Sequence, residues 1–238
     1  MEKIIGSPQE IEREELSEGM TIPDVLSFRK VVDRIQDRRD SVLIKVLYLI
    51  AGRTSEICTK VGAYDLSHNK SRDYGTFMNF TIENFVQGSI NEKVLLIKVA
   101  TAKRRSKDGK IFPRYIAVPV NPTYEPWCKD LLEWIRDKGN LNFPLLRWTV
   151  SLICKKNLRV LGEDIHAHSL RHIRVSHLIN NYGFEPPEVT SVCGWTFRTG
   201  WDLAGFQTNP MISIYLHTAW KKSFPRLCKP LSEVIKIG

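Results

Sequence analysis

One stretch of this chain, residues 76–120, has the composition of β-strands, and helical patterns lie on both sides of it. Its three β-rich runs are broken by glycines and by one basic loop, which predicts a small antiparallel sheet with a basic hairpin. The runs are Phe77 to Ile82, Val94 to Thr101 and Ile111 to Val120, and the loop is Lys103 to Lys110. A sheet inserted among helices predicts the α+β class, mostly helical with a small antiparallel β-sheet.

Apolar residues at helical spacing predict helices before and after the sheet. Pro23 suits a first helical turn, and Gly183 and Gly194 follow two of the later patterns as stop signals. The predicted helices cover Pro23 to Ile35, Ser41 to Leu49, the region around Trp127 to Ile135, Leu146 to Leu161, Ser169 to Tyr182, Pro187 to Cys193 and Met211 to Trp220.

The charge of the chain is positive and unevenly distributed. Lys and Arg number 35 against 26 Asp and Glu, a net charge of +9, whereas residues 1–20 hold six Glu against one Lys and one Arg, a net charge of −4. We therefore predict an acidic leader or linker over 1–21 and one basic domain over 22–238. A basic surface favours a polyanion partner such as nucleic acid, although some basic soluble proteins bind nothing specific.

Several classes of protein are excluded by composition. The longest apolar run, Val42 to Ala51, is interrupted by Lys45 and is too short to span a membrane. The first twenty residues lack the pattern of a signal peptide, so we expect a cytoplasmic protein. The five cysteines are an odd number without a CxxC pair, which argues against disulfides and zinc.

Titratable residues crowd the start of one predicted helix, at His168, Arg171 and His172. A helical projection places them on one inward face, which continues through Val175, Leu178, Ile179 and Tyr182. Cations at a helix N-terminus oppose its dipole unless an anion such as phosphate lies there. Alternatively, Arg171 pairs with a buried carboxylate and the histidines pack in the core. A metal site at His168 and His172 lacks a third ligand, so we expect no metal.

Four short boxes, in order along the chain, resemble the signature of the tyrosine recombinases, the family of phage and plasmid integrases. The segment His168-Ser-Leu-Arg171-His172 resembles the HxLRH box of that family. The other boxes are Leu49-Ile-Ala-Gly52-Arg53-Thr-Ser55-Glu56-Ile, similar to the upstream arginine box, then Cys193-Gly194-Trp195, and Ser213-Ile-Tyr215-Leu-His217, similar to the tyrosine helix.

The resemblance implies a site-specific recombinase or integrase that cleaves and rejoins DNA through a 3′-phosphotyrosine, without a metal or cofactor. Arg53 and Arg171 would neutralise the nonbridging oxygens of the phosphate, because guanidinium forks offer paired donors. His168 and Trp195 would add hydrogen bonds to the same phosphate. Tyr215 would be the nucleophile, whereas Tyr182 lies on the packing face of its helix and is interpreted as structural.

Further residues receive supporting roles. Glu56 and His172 would act on the side chains that contact the phosphate. Glu56 would orient an arginine or His168, and His172 would support these contacting residues. Lys103, crowded by cations that lower a lysine pKa, would protonate the 5′-oxygen leaving group, with Lys107 and Lys110 as alternatives. The residues expected to contact the DNA backbone are Arg104, Arg105, Lys107, Lys110 and Arg174.

The implied partners are double-stranded DNA attachment sites, bound by a tetramer on paired sites and by a monomer or dimer without DNA, in a nucleoid-associated protein. Two features depart from the family. The acidic leader stands where recombinases have a separate core-binding domain, which we expect to be absent, and 20 residues separate Trp195 from Tyr215, about twice the usual gap. Two alternatives stay open: a type IB topoisomerase that relaxes supercoils, and a catalytically silent DNA-binding module.

Overall fold

The computed structural model describes residues 22–59, 79–105, 111–162, 165–194 and 220–235, with only the backbone described at 101–105 and 111–112. The helices before the sheet are α1 (Val25–Asp33), α2 (Arg38–Leu49) and α3 (Thr54–Ile57). The strands are β1 (Asn79–Gln87), β2 (Ile90–Arg105) and β3 (Ile111–Pro119). The later helices are α4 (Cys128–Lys138), α5 (Arg147–Leu158) with a 3-10 turn (Arg159–Leu161), α6 (Ser169–Asn180), α7 (Pro186–Cys193), α8 (220–227) and α9 (Leu231–Val234).

Short polar side chains start the first two helices. Asp24 accepts a hydrogen bond from the Ser27 N–H at 2.9 Å, and Asp37 accepts one from the Asp40 N–H at the same distance. Both bonds satisfy a backbone donor that the helix itself leaves unpaired. Later in the chain, α7 begins with proline and is followed by Gly194, whose φ of +65° lies in the left-handed region that glycine favours.

The three strands form an antiparallel sheet in the order β1-β2-β3. Asn79 pairs with Lys98 at one end of the β1-β2 hairpin, and Gln87 pairs with Ile90 beside the turn. Pairing of β2 with β3 is regular from Val94 to Ala100 and then shifts before Arg105 meets Ile111. The basic hairpin therefore begins at an irregularity of β2.

Both faces of the sheet are covered by apolar side chains. Leu95, Ile97 and Val99 of β2 pack on one side into a core with the helix α2, which is buried from residue 40 to its last residue. Val94 and Leu96 pack on the other side with the aromatic residues of α8. Alternate residues of a strand point to opposite faces, and both faces of β2 are buried here. Its central residues Val94 to Ile97 are therefore all apolar instead of alternating between apolar and polar.

The predicted α+β class is confirmed, and the predicted helices 23–35, 41–49 and 187–193 match α1, α2 and α7 to within a few residues. The first strand was placed wrongly: it runs to Gln87, not to Ile82. The second half of this strand lacks a clear apolar pattern in the sequence, because a strand at the edge of a sheet can be largely exposed. Of the helix predicted over Met211 to Trp220, residues 211–219 lie outside the described residues.

Within the described ranges, no helix combines the length and apolarity needed to cross a bilayer.

Between α1, α2 and α6, a buried histidine links three segments of the chain. His177 Nε2 lies 2.7 Å from the carbonyl oxygen of Pro23, which can only accept, so Nε2 carries the proton. Nδ1 of the neutral ring then accepts from the Tyr48 hydroxyl at 2.8 Å. Burial, joined by the nearby cations Arg174 and Arg29, lowers the pKa of His177 to about 4, against the opposing effects of the Pro23 carbonyl and of Asp24.

This pKa predicts a loss of stability in mild acid. The unfolded chain takes up the proton near the ordinary pKa of 6.5, whereas the folded chain takes it up only near 4. The unfolded state binds more protons in between, so the free energy of unfolding should fall as pH drops from 6.5 to 4, by up to about 3 kcal/mol. Denaturant titrations should show this fall, and His177→Gln should flatten it, whereas the exposed His166→Gln should not. Equal pH slopes in the two variants would contradict the assignment.

Candidate active site

Arg53 and Glu56 lie on one short turn that follows the buried helix α2. The backbone reverses at Ala51, whose φ is +45°, and continues through Gly52. A Cβ at Gly52 would lie 2.5 Å from Cδ1 of the buried Ile50, so glycine is required there. Arg53 then caps α3, and its N–H donates to Glu56 Oε2 at 2.8 Å.

Glu56 is a buried carboxylate surrounded by cations. Its side chain has no exposed surface, Arg114 Nη2 donates to Oε2 at 2.7 Å, and Arg53 Nη1 lies 3.8 Å from Oε1. Burial raises the pKa of Glu56, but the charge of Arg114, the Arg53 N–H bond and the charges of Arg53 and Arg171 outweigh it and hold the pKa below its ordinary value. Glu56 is therefore ionised at neutral pH. Its predicted role of orienting an arginine or His168 stays a prediction.

Arg171 comes from α6, which packs against α2, and its side chain reaches the same place. Its Nη1 donates to the carbonyl of Ala51 at 3.0 Å, 120 residues away in sequence, and its Nη2 donates to the carbonyl of Cys193 at 2.8 Å. The residue is 1% exposed. Burial, joined by the charges of Arg53 and Arg114, lowers the pKa of Arg171 to about 10, against the opposing effects of Cys193 and Glu56. Its predicted direct contact with phosphate stays a prediction, since these two Nη atoms already face carbonyls.

Arg114, on β3, is a member of this cluster that the sequence reasoning missed. It is 4% exposed, and besides Glu56 it donates from Nη1 to the carbonyls of Ile50, at 2.6 Å, and of Val192. A signal existed: Arg114 is the only charged residue in the β-rich run 111–120. A charged residue in a buried strand requires a partner, so the position pointed to an ion pair.

The two histidines of the HxLRH box lie beside Arg171 at the start of α6. Their rings are 4.8 Å apart, nearly perpendicular, and both side chains are partly exposed. His168 is the residue that precedes the helix, and its side chain makes no capping hydrogen bond there. The expected hydrogen bond from His168 to phosphate stays a prediction.

The predicted inward face of α6 is partly wrong. Ile179 is 45% exposed, whereas Arg174, which was expected to contact DNA, is 4% exposed. The Arg174 guanidinium carbon lies 4.9 Å from the ring centre of Tyr48 and 5.3 Å from that of Tyr182. Arg174 therefore has almost no surface to offer a phosphate and stabilises the core instead. Tyr182 is 1% exposed, which confirms its structural interpretation.

Several predicted residues lie where the structure gives no side chain. Lys103, Arg104 and Arg105 belong to the last part of β2, where only the backbone is described. The predicted residues outside the described ranges are Lys107, Lys110, Trp195 and Tyr215. Trp195 directly follows the described end of α7, two residues after the carbonyl that binds Arg171.

The geometry favours an anion at this site. Three guanidiniums share one carboxylate, an excess of two positive charges. The Arg53 side chain is 20% exposed, and its Nη1 has no hydrogen-bond partner among the described residues. A donor of this kind lowers its free energy by binding an acceptor, and a charged one suits phosphate. The described residues contain no group of His, Cys, Asp and Glu arranged to hold a metal ion.

Comparison of the chain with models of known protein families finds no match, and a search of curated proteins finds none either.

Proposed function

We propose that this protein is the catalytic domain of a site-specific DNA recombinase that cleaves and rejoins DNA through a 3′-phosphotyrosine. The observation that carries the proposal is the convergence of two distant boxes of the sequence. Arg53 and Glu56, from the first box, lie in one cationic cluster with Arg171, from the second. Such a cluster supports binding of a phosphodiester, whose transition state accumulates negative charge on its nonbridging oxygens.

The proposed reaction proceeds by nucleophilic attack on phosphorus. The phenolate of Tyr215 forms a bond to phosphorus while the bond to the 5′-oxygen breaks, and that oxygen takes a proton from Lys103. A 5′-hydroxyl attacks the phosphotyrosine in the reverse step, so the energy of the phosphodiester is kept. The amino acid side chains supply all of these functions, and the proposed mechanism uses no metal or cofactor.

Arg53 and Arg171 contribute differently in this proposal. The Arg53 side chain is 20% exposed, whereas Arg171 is buried, so Arg53 is the first donor to the phosphate. Arg171 is held by two carbonyls and acts chiefly through its charge, which the low dielectric of a buried site leaves strong. His168 and Trp195 would complete the donors around the phosphate.

The proposed partner is double-stranded DNA, bound at paired attachment sites by a tetramer in the cytoplasm. A library of nicked duplexes with randomised sequence tests the function directly. A covalent protein–DNA band that survives denaturation would support the proposal, and sequencing its DNA would give the target site. A type IB topoisomerase would instead relax supercoiled plasmid without paired sites, and a silent module would retard DNA on a gel without any adduct.

Tyr215→Phe should abolish the covalent adduct and leave DNA affinity nearly unchanged, because it removes one hydroxyl and no charge. Tyr124→Phe, the same change outside all four boxes, should leave adduct formation intact. Adduct yield on denaturing gels and affinity by gel retardation give the two readouts. An adduct that persists in Tyr215→Phe would reject this nucleophile.

Arg53→Ala should slow cleavage at least about 100-fold, since a donor at a developing charge contributes about 3 kcal/mol. Arg136→Ala removes the same charge from a side chain that is 76% exposed and serves as the control. Single-turnover cleavage rates at saturating DNA measure the effect. A loss below tenfold in Arg53→Ala would mean that Arg53 is structural.

Lys103→Ala should slow cleavage of an ordinary duplex far more than cleavage of a duplex with a 5′-bridging sulfur, whose leaving group needs no proton. Lys98→Ala, an exposed lysine on the same strand, should slow neither substrate appreciably. The ratio of the two cleavage rates is the measurement. Equal losses on both substrates would assign Lys103 to DNA binding alone.

A further inference from the structure

Arg114 and Arg171 bind two pairs of consecutive carbonyls. At the end of α2, Arg114 donates to the carbonyl of Ile50 and Arg171 donates to that of Ala51. At the end of α7, Arg114 donates to the carbonyl of Val192 and Arg171 donates to that of Cys193. The two side chains come from β3 and α6, so they join four elements at one point. Arg114 also donates a hydrogen bond to Glu56.

The two oxygens of Glu56 have different surroundings. Oε2 accepts from Arg114 Nη2 at 2.7 Å and from the Arg53 N–H at 2.8 Å. The Arg53 guanidinium faces the other oxygen at 3.8 Å, which exceeds hydrogen-bond distance. Glu56 therefore binds the backbone of Arg53 closely and its guanidinium only loosely.

We infer that Arg114 is a positioning residue, which engages the charge of Glu56 so that the Arg53 guanidinium remains available to a phosphate anion. Without Arg114, Glu56 would still be a buried carboxylate but would have lost its nearest cation among the described residues, and this loss is strongly unfavourable. Arg53 is its strongest remaining charge partner and needs to move by only about an ångström to form a hydrogen-bonded pair. Glu56 would then compete with phosphate for Arg53.

The inference rests on the proposed function for the identity of the anion as DNA phosphate, and it has a test that needs no DNA. Inorganic phosphate is titrated into the whole protein, and its dissociation constant is read from the NMR signals of the arginine Nε–H groups. Arg114→Met should weaken phosphate binding at least tenfold. Glu56→Gln keeps an oxygen for the Arg53 N–H and removes the competing charge. Added to Arg114→Met, it should restore affinity to within about threefold of the wild-type protein.

A purely structural role would not give this rescue, and a second buried pair provides the control. Arg29 donates to both oxygens of Glu125 at 2.8 and 2.6 Å, away from the site. Arg29→Met should lower the thermal midpoint without changing the phosphate dissociation constant. If Arg114→Met does not fold, the double variant, in which Glu56 is no longer a buried carboxylate that has lost the charge of Arg114, takes its place beside Arg114→Lys. Lysine cannot reach Glu56 and both carbonyls at once, so it should weaken phosphate binding, and adding Glu56→Gln should restore it.

The outcomes separate the two proposals. Rescue by Glu56→Gln with inorganic phosphate, but no DNA adduct in the wild-type protein, would support the role of Arg114 and reject the recombinase. An adduct with DNA, but no rescue, would support the recombinase and reject the role of Arg114. Phosphate affinity unchanged in Arg114→Met would also reject that role.

Discussion

Glu56 carries a negative charge with no surface exposed to water, and the surrounding structure is arranged to keep it ionised. Breaking a buried ion pair typically costs about 3 to 5 kcal/mol, because the partner is left buried and unpaired. Arg114 therefore has to stay on Glu56, and β3 has to stay beside α3. The same guanidinium binds the ends of α2 and α7, so the position of one carboxylate constrains four elements.

The sheet supports this arrangement because it is covered on both sides. One face packs against the buried helix α2, whose end leads into Ala51, Gly52 and Arg53. The other packs against α8 and the region around Cys193. Ala51 and Cys193, whose carbonyls accept from Arg171, both belong to the apolar cluster on this second face. Helix α6 contributes Leu170 and Ile173 to the cluster on the first face and Leu178 to that on the second, so Arg171 comes from an element that packs in both.

Much of the fold could be predicted from the sequence, because caps and apolar spacing are local signals. Gly183 and Gly194, the two predicted stop signals, follow α6 and α7 with φ of +68° and +65°. The site was only partly predictable. Arg53, Glu56 and Arg171 were found through the boxes, but Arg114 contacts residues 58 to 78 positions away, and no local pattern contains that information. Arg174 was misassigned to the surface although it lies one helical turn from both Arg171 and Leu178, which are buried.

The ends of α2 and α7 have a further electrostatic consequence. The C-terminal end of a helix carries about half a negative elementary charge. The carbonyls at these two helix ends accept hydrogen bonds from Arg114 and Arg171, so together the helix ends offset about one of the positive charges in the cluster. Three guanidiniums and one carboxylate then leave an excess close to a single positive charge instead of two. A DNA phosphodiester carries one negative charge. The cluster would therefore become nearly neutral on binding a single phosphodiester.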